Sequence, residues 1–141
     1  MKTETNGSGD AGRLLAPVPV SCHVRMFKPQ FAPLVEAGTK CQTVRPTPKR
    51  MPKPGDRISL RTWAGKPYRS RSKHRVLREA TISEVSPCSI YENAVYVNGI
   101  PEHRDCFAVA DGFADYGELA EWFKTTHGLP FDGVVLKWHN D

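Results

Sequence analysis

The chain has 141 residues, of which 39% are hydrophobic and 25% charged, and its formal net charge is +5. This composition excludes a disordered chain, and no apolar run approaches the roughly 20 residues of a membrane span. The N-terminus also lacks the basic-then-apolar order of a secretory signal, so we expect one cytoplasmic domain without a membrane partner.

Positive charge is concentrated in one segment of the chain. Residues 47–78 contain 11 Lys or Arg and one acid, Asp56, so this segment carries +10 and the rest of the chain carries −5. Such an asymmetry favours a polyanionic partner, and the alternative is a solvated basic loop that only aids solubility.

The four cysteines stand at positions 22, 41, 88 and 106, and none forms a CxxC pair. A disulfide is formally open, but free and mostly buried thiols are the better expectation for a cytosolic protein. The Cys and His spacing also indicates neither a metal site nor a cofactor.

The first part of the chain predicts a tail, a strand and a short helix. Residues 1–18 are polar and rich in Gly, Ser and Thr, which predicts a flexible tail ahead of a domain over 19–141. Residues 20–27 alternate as a strand does. Residues 31–35 have helical spacing, and Gly38 is a natural stop for that helix.

The middle of the chain predicts loops around one clear strand. Residues 40–45 indicate a loop entering a strand, and residues 47–54 are too proline-rich for a regular element. Pro54-Gly55-Asp56 is typical of a turn, after which residues 57–63 alternate as a strand. Residues 64–73 form a basic loop.

The following segment predicts a long strand over 76–85 and a shorter one over 88–92. Asn98-Gly99 is a strong hairpin signal between two short β-rich runs. Residues 105–110 have the composition of a short helix.

The C-terminal segment contains the clearest helix, over 116–127. Leu119, Trp122 and Phe123 form one apolar stripe on it, which predicts core packing. A last strand is expected over 133–138. Strands outnumber helices and no parallel βαβ unit is evident, which favours an α+β fold: a mixed or antiparallel barrel with helices at its sides.

Residues 38–45 carry the most informative pattern. In a strand beginning near Cys41, Thr43 and Arg45 share one face while Val44 takes the other. Lys40 precedes that strand in a loop and can reach the same cleft. An ammonium, a hydroxyl and a guanidinium together suit an anion, a carbonyl oxygen or the edge of a base.

The order Gly38-x-Lys40-x-x-Thr43-x-Arg45, followed by Pro54-Gly55-Asp56, resembles the ASCH domain of the PUA-like superfamily. The resemblance covers residues 20–139. Looser matches are Phe27 in the opening strand, the Asp111-Gly112-Phe113 step, Leu119 and Phe123 in the long helix, and Trp138 in the last strand.

This resemblance implies a small β-barrel with a helix-lined cleft, related to domains that bind RNA. Some ASCH proteins are amidohydrolases that remove an acyl group from the exocyclic amine of N4-acetylcytidine, using a threonine nucleophile, a lysine and a carboxylate. By motif match Thr43 is the nucleophile, Lys40 the lysine and Asp111 the carboxylate, although those enzymes have Glu there. Ribonuclease activity has also been proposed for some members.

The roles of these side chains stay open at the level of sequence. Lys40 is either a neutral base for the Thr43 hydroxyl or a cation that stabilises the oxyanion. Asp111 either passes a proton to the leaving amine or is only a turn or helix-cap residue.

Further ligand contacts are expected outside the motif. Arg69, Arg71, Lys73 and Arg75 are natural phosphate contacts. Trp63 and Tyr68 have the character of base-stacking residues, with core packing as the alternative for Trp63. We therefore expect a domain that binds RNA or a modified nucleobase; the alternatives are an amidohydrolase acting on N4-acetylcytidine-type nucleosides and a ribonuclease acting on single-stranded RNA. The sequence carries no signal for the oligomeric state.

Overall fold

The structure is a computed structural model that describes residues 20–64 and 73–140. The tail predicted over 1–18 and most of the predicted basic loop lie outside these described residues. The strands are β1 Cys22–Met26, β2 Gln42–Arg45, β3 Arg57–Trp63, β4 His74–Ile90, β5 Val95–Val97, β6 Ile100–Pro101 and β7 Phe131–Asn140. The helices are α1 Ala32–Ala37, α2 Arg104–Ala110 and α3 Tyr116–Thr126.

The seven strands form one mixed sheet, which confirms the predicted α+β class. One path of hydrogen-bonded neighbours runs β1-β3-β4-β5-β6, and β7 pairs with both β4 and β2. The β1–β3 pair is parallel and the other pairs are antiparallel. Sequence periodicity did not predict this parallel pair. Among the described residues no backbone pairing joins β1 to β2, so the sheet is not closed.

Strand β4 corrects the expectation of two separate strands over 76–85 and 88–92. It runs unbroken through Pro87, and its first half pairs with β3 while its second half pairs with β7. The carbonyl of Pro87 accepts from the N–H of Asn98, just beyond the end of β5. The missing N–H of Pro87 would point to that same side, where pairing ends, so the proline removes no bond inside the ladder.

Local turn chemistry sets the other boundaries as predicted. Helix α1 ends at Gly38, which has φ 81° and so adopts the left-handed conformation that glycine accommodates. Asn98 and Gly99 both have positive φ and connect β5 to β6 as a tight hairpin. Helix α3 is capped by Asp115, whose side chain accepts from the N–H of Glu118.

The core lies between the sheet and the helices. Its fully buried side chains include Ile58, Leu60, Ile82, Ile90, Val135 and Leu136 from the strands and Val35, Leu119 and Phe123 from the helices. All four cysteines are free, but Cys22 and Cys106 are exposed, so the expectation of mostly buried thiols is wrong. None of the helices within the described ranges is long and apolar enough to cross a membrane.

Candidate functional site

A small cavity of about 190 Å³ opens where the end of β1, helix α1, strand β2 and the α2–α3 connection meet. Five Phe or Trp residues line it: Phe27, Phe31, Phe113, Trp122 and Phe123. Its polar lining includes Lys40, Thr43, Arg45 and Asp111. The structure therefore brings the three residues predicted as catalytic, and Arg45, to one cavity.

The turn after α1 positions Lys40. Gly38 ends the helix, and the N–H groups of Thr39 and Lys40 both donate to the carbonyl of Leu34, at 2.9 and 3.0 Å. The chain then enters β2, whose residues Thr43 and Arg45 pair with Leu136 and Val134 of β7. The Lys40 and Thr43 side chains are both buried next to the cavity.

Lys40 and Asp111 form a buried polar pair. The Lys40 Nζ atom lies 3.4 Å from Asp111 Oδ1 and donates to the backbone carbonyl of Asp111 at 2.5 Å. Their side chains are only 3% and 5% exposed. Burial lowers the pKa of Lys40 and raises the pKa of Asp111, and the attraction between the two groups partly offsets both shifts. The ammonium form of Lys40 and the carboxylate form of Asp111 are therefore both less favoured here than in water.

Asp111 is a helix-cap residue whose side chain also lines the cavity. It caps α2, where its backbone N–H donates to the carbonyls of Phe107 and Ala108. Its side chain faces Lys40 and accepts a long hydrogen bond of 3.4 Å from Gln42 Nε2. Gln42 is itself buried and was not predicted as a site residue, because a lone glutamine in a strand carries no sequence signal.

Arg45 orients the hydroxyl of Thr43. The Arg45 Nε atom donates to Thr43 Oγ1 at 3.0 Å, and Nη2 donates to the carbonyl of Met26 at 2.7 Å. The guanidinium carbon lies 4.9 Å from the centre of the Phe27 ring. Burial, then repulsion from Arg25, lowers the pKa of Arg45 to about 10, so it stays charged at neutral pH. Thr43 Oγ1 accepts from a cation and keeps its own proton available for donation.

The mouth of the cavity contains residues that the sequence did not identify. Trp122 was predicted as core, but it is only partly buried and lines the cavity. Lys28 Nζ lies 5.4 Å from the centre of the Trp122 ring, and the exposed His127 packs against the same ring at 6.0 Å. Helical spacing identified the face of Trp122 correctly but could not tell that its ring is only partly buried there.

Of the further ligand contacts predicted outside the motif, those within the described residues do not line this cavity. Tyr68, Arg69 and Arg71 lie outside the described residues. Lys73 is exposed, and Arg75 makes an ion pair with Glu36 at 3.1 Å. Trp63, at the end of β3, packs edge-on against His74 at 4.6 Å between ring centres.

A second buried pair explains the Pro-Gly-Asp turn. His23 Nε2 lies 2.9 Å from Asp56 Oδ2, and that oxygen also accepts from the N–H of Lys53 at 3.0 Å. The hydrogen bond from His23 holds the pKa of Asp56 below its usual range. The pair ties the proline-rich segment 47–54 to β1, outside the cavity.

Within the described ranges, no group of three or more His, Cys, Asp or Glu side chains is arranged to hold a metal ion. Comparisons of this chain with protein-family models, with curated proteins and with solved structures found no match.

Proposed function

We propose that the cavity binds a nucleobase, either of a modified nucleoside or of RNA. The observation that carries this proposal is the convergence of Lys40, Thr43 and Arg45 from one segment, and of Asp111 from a distant one, on one aromatic-walled cavity. Its volume of about 190 Å³ is below the roughly 300–1,000 Å³ typical of sites for drug-sized ligands, so it suits one base-sized group.

Aromatic walls and polar side chains offer complementary contacts to a base. The rings of Phe31 and Trp122 provide apolar surface for the faces of a planar ligand. The cations Lys40 and Arg45 are donors for a carbonyl oxygen, and the carboxyl group of Asp111 is an acceptor for an exocyclic amine. A cytosine-like edge, which presents both a carbonyl and an amine, matches this set.

Hydrolysis of an N-acyl group is the second candidate, and one observation favours it: the only hydroxyl among the four polar groups, that of Thr43, is held by a cation. A hydrogen bond from a guanidinium favours the alkoxide form of that oxygen. Burial lowers the pKa of Lys40, so a larger fraction of it than of a solvated lysine is neutral and able to accept a proton at a given pH.

The proposed reaction has two steps. Thr43 Oγ1 attacks the acyl carbonyl carbon while its proton moves to neutral Lys40, and the C–N bond then breaks as that proton passes to the leaving exocyclic amine. Water next attacks the acyl-threonine ester, giving up a proton through Lys40, and the product carboxylic acid leaves with Thr43 restored. Asp111 holds Lys40 in place, and its raised pKa allows it to share the proton in transit.

The finer fold expectation, a PUA-like barrel, belongs to the same proposal. Strands β1 and β2 lie at the ends of the path β1-β3-β4-β7-β2. The support for a barrel-like arrangement is that Arg45 of β2 nevertheless donates to the backbone carbonyl of Met26 in β1. ASCH membership and ribonuclease activity stay predictions, and no contact in the described residues favours ribonuclease chemistry over base binding.

The test combines binding and turnover. Cytidine is titrated by calorimetry, and release of cytidine and acetate from N4-acetylcytidine is followed by chromatography. We expect cytidine binding to be lost with Trp122→Ala, and turnover to be abolished by Thr43→Val and reduced roughly 10²–10⁴-fold by Lys40→Met. Thr47→Val, an exposed threonine outside the cavity, is the matched control. Absence of turnover by the wild type rejects hydrolysis of this substrate, and absence of cytidine binding rejects the base pocket.

A further inference from the structure

The charge of the cavity mouth exceeds what a neutral base requires. The lining contains three cations, Lys28, Lys40 and Arg45, and a single carboxylate, Asp111. That carboxylate is paired with Lys40 at 3.4 Å, so its charge is largely balanced by Lys40 inside the cavity. Asp111 also attracts Arg45, but it does not lie within 4.0 Å of Lys28 or Arg45, and one carboxylate against three cations leaves the lining with a net positive charge.

Arg25 is a third cation beside Lys28 and Arg45, although it does not itself line the cavity. It precedes Met26, which lines the cavity and whose carbonyl accepts from Arg45. Arg25 lies close enough to Arg45 for their repulsion to lower the pKa of Arg45. Like charges this close cost free energy unless an anion joins them.

The hydrogen-bond and ring partners of these three cations are neutral. Arg25 donates to the backbone carbonyl of Val24, Arg45 donates to the Met26 carbonyl and to Thr43 Oγ1, and Lys28 lies over the Trp122 ring. No carboxylate of residues 20–64 or 73–140 lies within 4.0 Å of any of them. Elsewhere on the described surface some cations lie close to a carboxylate, as Arg75 does to Glu36. Others, such as Arg50 and Arg104, also have neutral partners, so it is the shared location of the three cations near the cavity that sets them apart.

We propose that Arg25, Lys28 and Arg45 form a phosphate subsite at the cavity mouth, so that the ligand is a nucleotide unit rather than a free nucleoside. This inference rests on the proposed base pocket and specifies what is attached to the base. With the base between the aromatic walls, the sugar extends toward the mouth, and its phosphate meets Lys28 beside Trp122. Arginine and lysine together are the usual donors to phosphate oxygens. These cations are distinct from the predicted phosphate contacts at positions 69–75.

Calorimetric titrations of the full chain with cytidine and with cytidine 5′-monophosphate test the subsite. We expect the phosphate to tighten binding about tenfold or more at low salt, and this gain to shrink as ionic strength rises. Lys28→Met, which keeps an unbranched apolar stem against Trp122, lowers the ratio of the monophosphate affinity to the cytidine affinity toward one. Arg25→Gln reduces the gain in the same way.

The matched control is Lys124→Met, an exposed lysine on the same helix as Trp122 whose nearest described carboxylate is 4.0 Å away. It leaves both affinities unchanged. Equal affinity of the wild type for cytidine and its monophosphate would overturn the inference. So would a Lys28→Met variant that weakens both ligands by the same factor.

Two further ligands distinguish RNA from free nucleotides as the source of the phosphate, and test the phosphate subsite separately from the base pocket. A cytidine trinucleotide that binds more tightly than the monophosphate, with the gain dependent on Lys28, assigns the subsite to RNA; weaker trinucleotide binding assigns it to free nucleotides. Ribose 5-phosphate tests the subsite without a base. If ribose 5-phosphate binds in a Lys28-dependent manner while cytidine does not bind, the base pocket fails and the phosphate subsite stands.

Discussion

The buried pair of Lys40 and Asp111 makes a quantitative prediction about stability against pH. The perturbation removes one partner at a time, with Lys40→Met and Asp111→Asn, and then both in a double variant. Each replacement has nearly the size of the original side chain and no charge. The double variant lacks both titrating groups, so it is the reference for the two single variants.

The structure sets the scale of the effect. At the observed 3.4 Å between Nζ and Oδ1, two unit charges attract by about 5 kcal/mol at an effective dielectric constant of about 20. Desolvation of two nearly buried charges offsets most of this gain. Removing a single partner leaves the other charge buried and unpaired, for which about 3–5 kcal/mol is the usual cost.

The sign of the pH dependence differs between the two single variants. Without Lys40, the pKa of Asp111 rises further, so the folded state binds a proton that the unfolded state has lost. The stability of Lys40→Met then falls by about 1.4 kcal/mol per pH unit, relative to the double variant, from about pH 4 upward. Without Asp111, the pKa of Lys40 falls further, so the stability of Asp111→Asn rises with pH by the same slope below about pH 10.

The assay is urea unfolding of the three variants and the wild type at a series of pH values. Above the ordinary aspartate pKa, Lys40→Met should become progressively less stable than the double variant, by at most about 1.4 kcal/mol for each pH unit. Parallel pH profiles for all three variants would refute the reasoning, because they would mean that neither group is buried and unpaired in the single variants. Circular dichroism confirms that each variant is folded before unfolding.

Three other substitutions test the fold around the site. Gly133→Ala should cost about 2 kcal/mol or more in urea unfolding, since the new Cβ would lie 2.2 Å from the backbone oxygen of Arg45; unchanged stability would contradict the close β2–β7 approach. Asp56→Asn should lower the melting temperature at neutral pH and converge with the wild type in acid. The hydrogen bond from His23 holds the pKa of Asp56 low, so the stability that the carboxylate contributes is present above the ordinary aspartate pKa and is lost as pH falls through the lowered pKa. A difference in melting temperature that does not change with pH would argue against this. Tyr116→Phe should cost about 1–2 kcal/mol, because its hydroxyl bonds carbonyl oxygens between β4 and β5 at 2.5 and 2.6 Å, and an unchanged urea midpoint would contradict that.

Local signals predicted most element types, because each depends on a few neighbouring residues. Gly38 and the Asn98-Gly99 pair require backbone conformations that few other residues adopt, so their turns appear where expected. The local rule failed at Pro87, where a proline normally argues against a continuing strand. Whether that proline costs a ladder bond depends on where β5 ends, and this is a property of the pairing rather than of the neighbouring sequence.

The sequence predicted the polar residues of the candidate site but not all the residues that surround them. Thr43 and Arg45 follow from the periodicity of a strand and Lys40 from its place in the loop before that strand, whereas Asp111 came only from the family resemblance. Gln42, Lys28 and Trp122 were missed because their relevance arises from contacts across the fold. Trp122 shows the limit most clearly, since a helical stripe identifies the inward face but not which part of that face a neighbour leaves open.

Arg45 connects the fold to the chemistry of the site. One nitrogen of its guanidinium reaches the Met26 carbonyl of β1, and another holds the Thr43 hydroxyl of β2. The planar fork fixes the angle between these two bonds. A change in the separation of β1 and β2 must therefore move Arg45 relative to Thr43 or break one of the bonds. The direction of the Thr43 hydroxyl therefore depends on the gap between two strands that do not pair. A ligand that shifts β1 would reorient this hydroxyl without touching it.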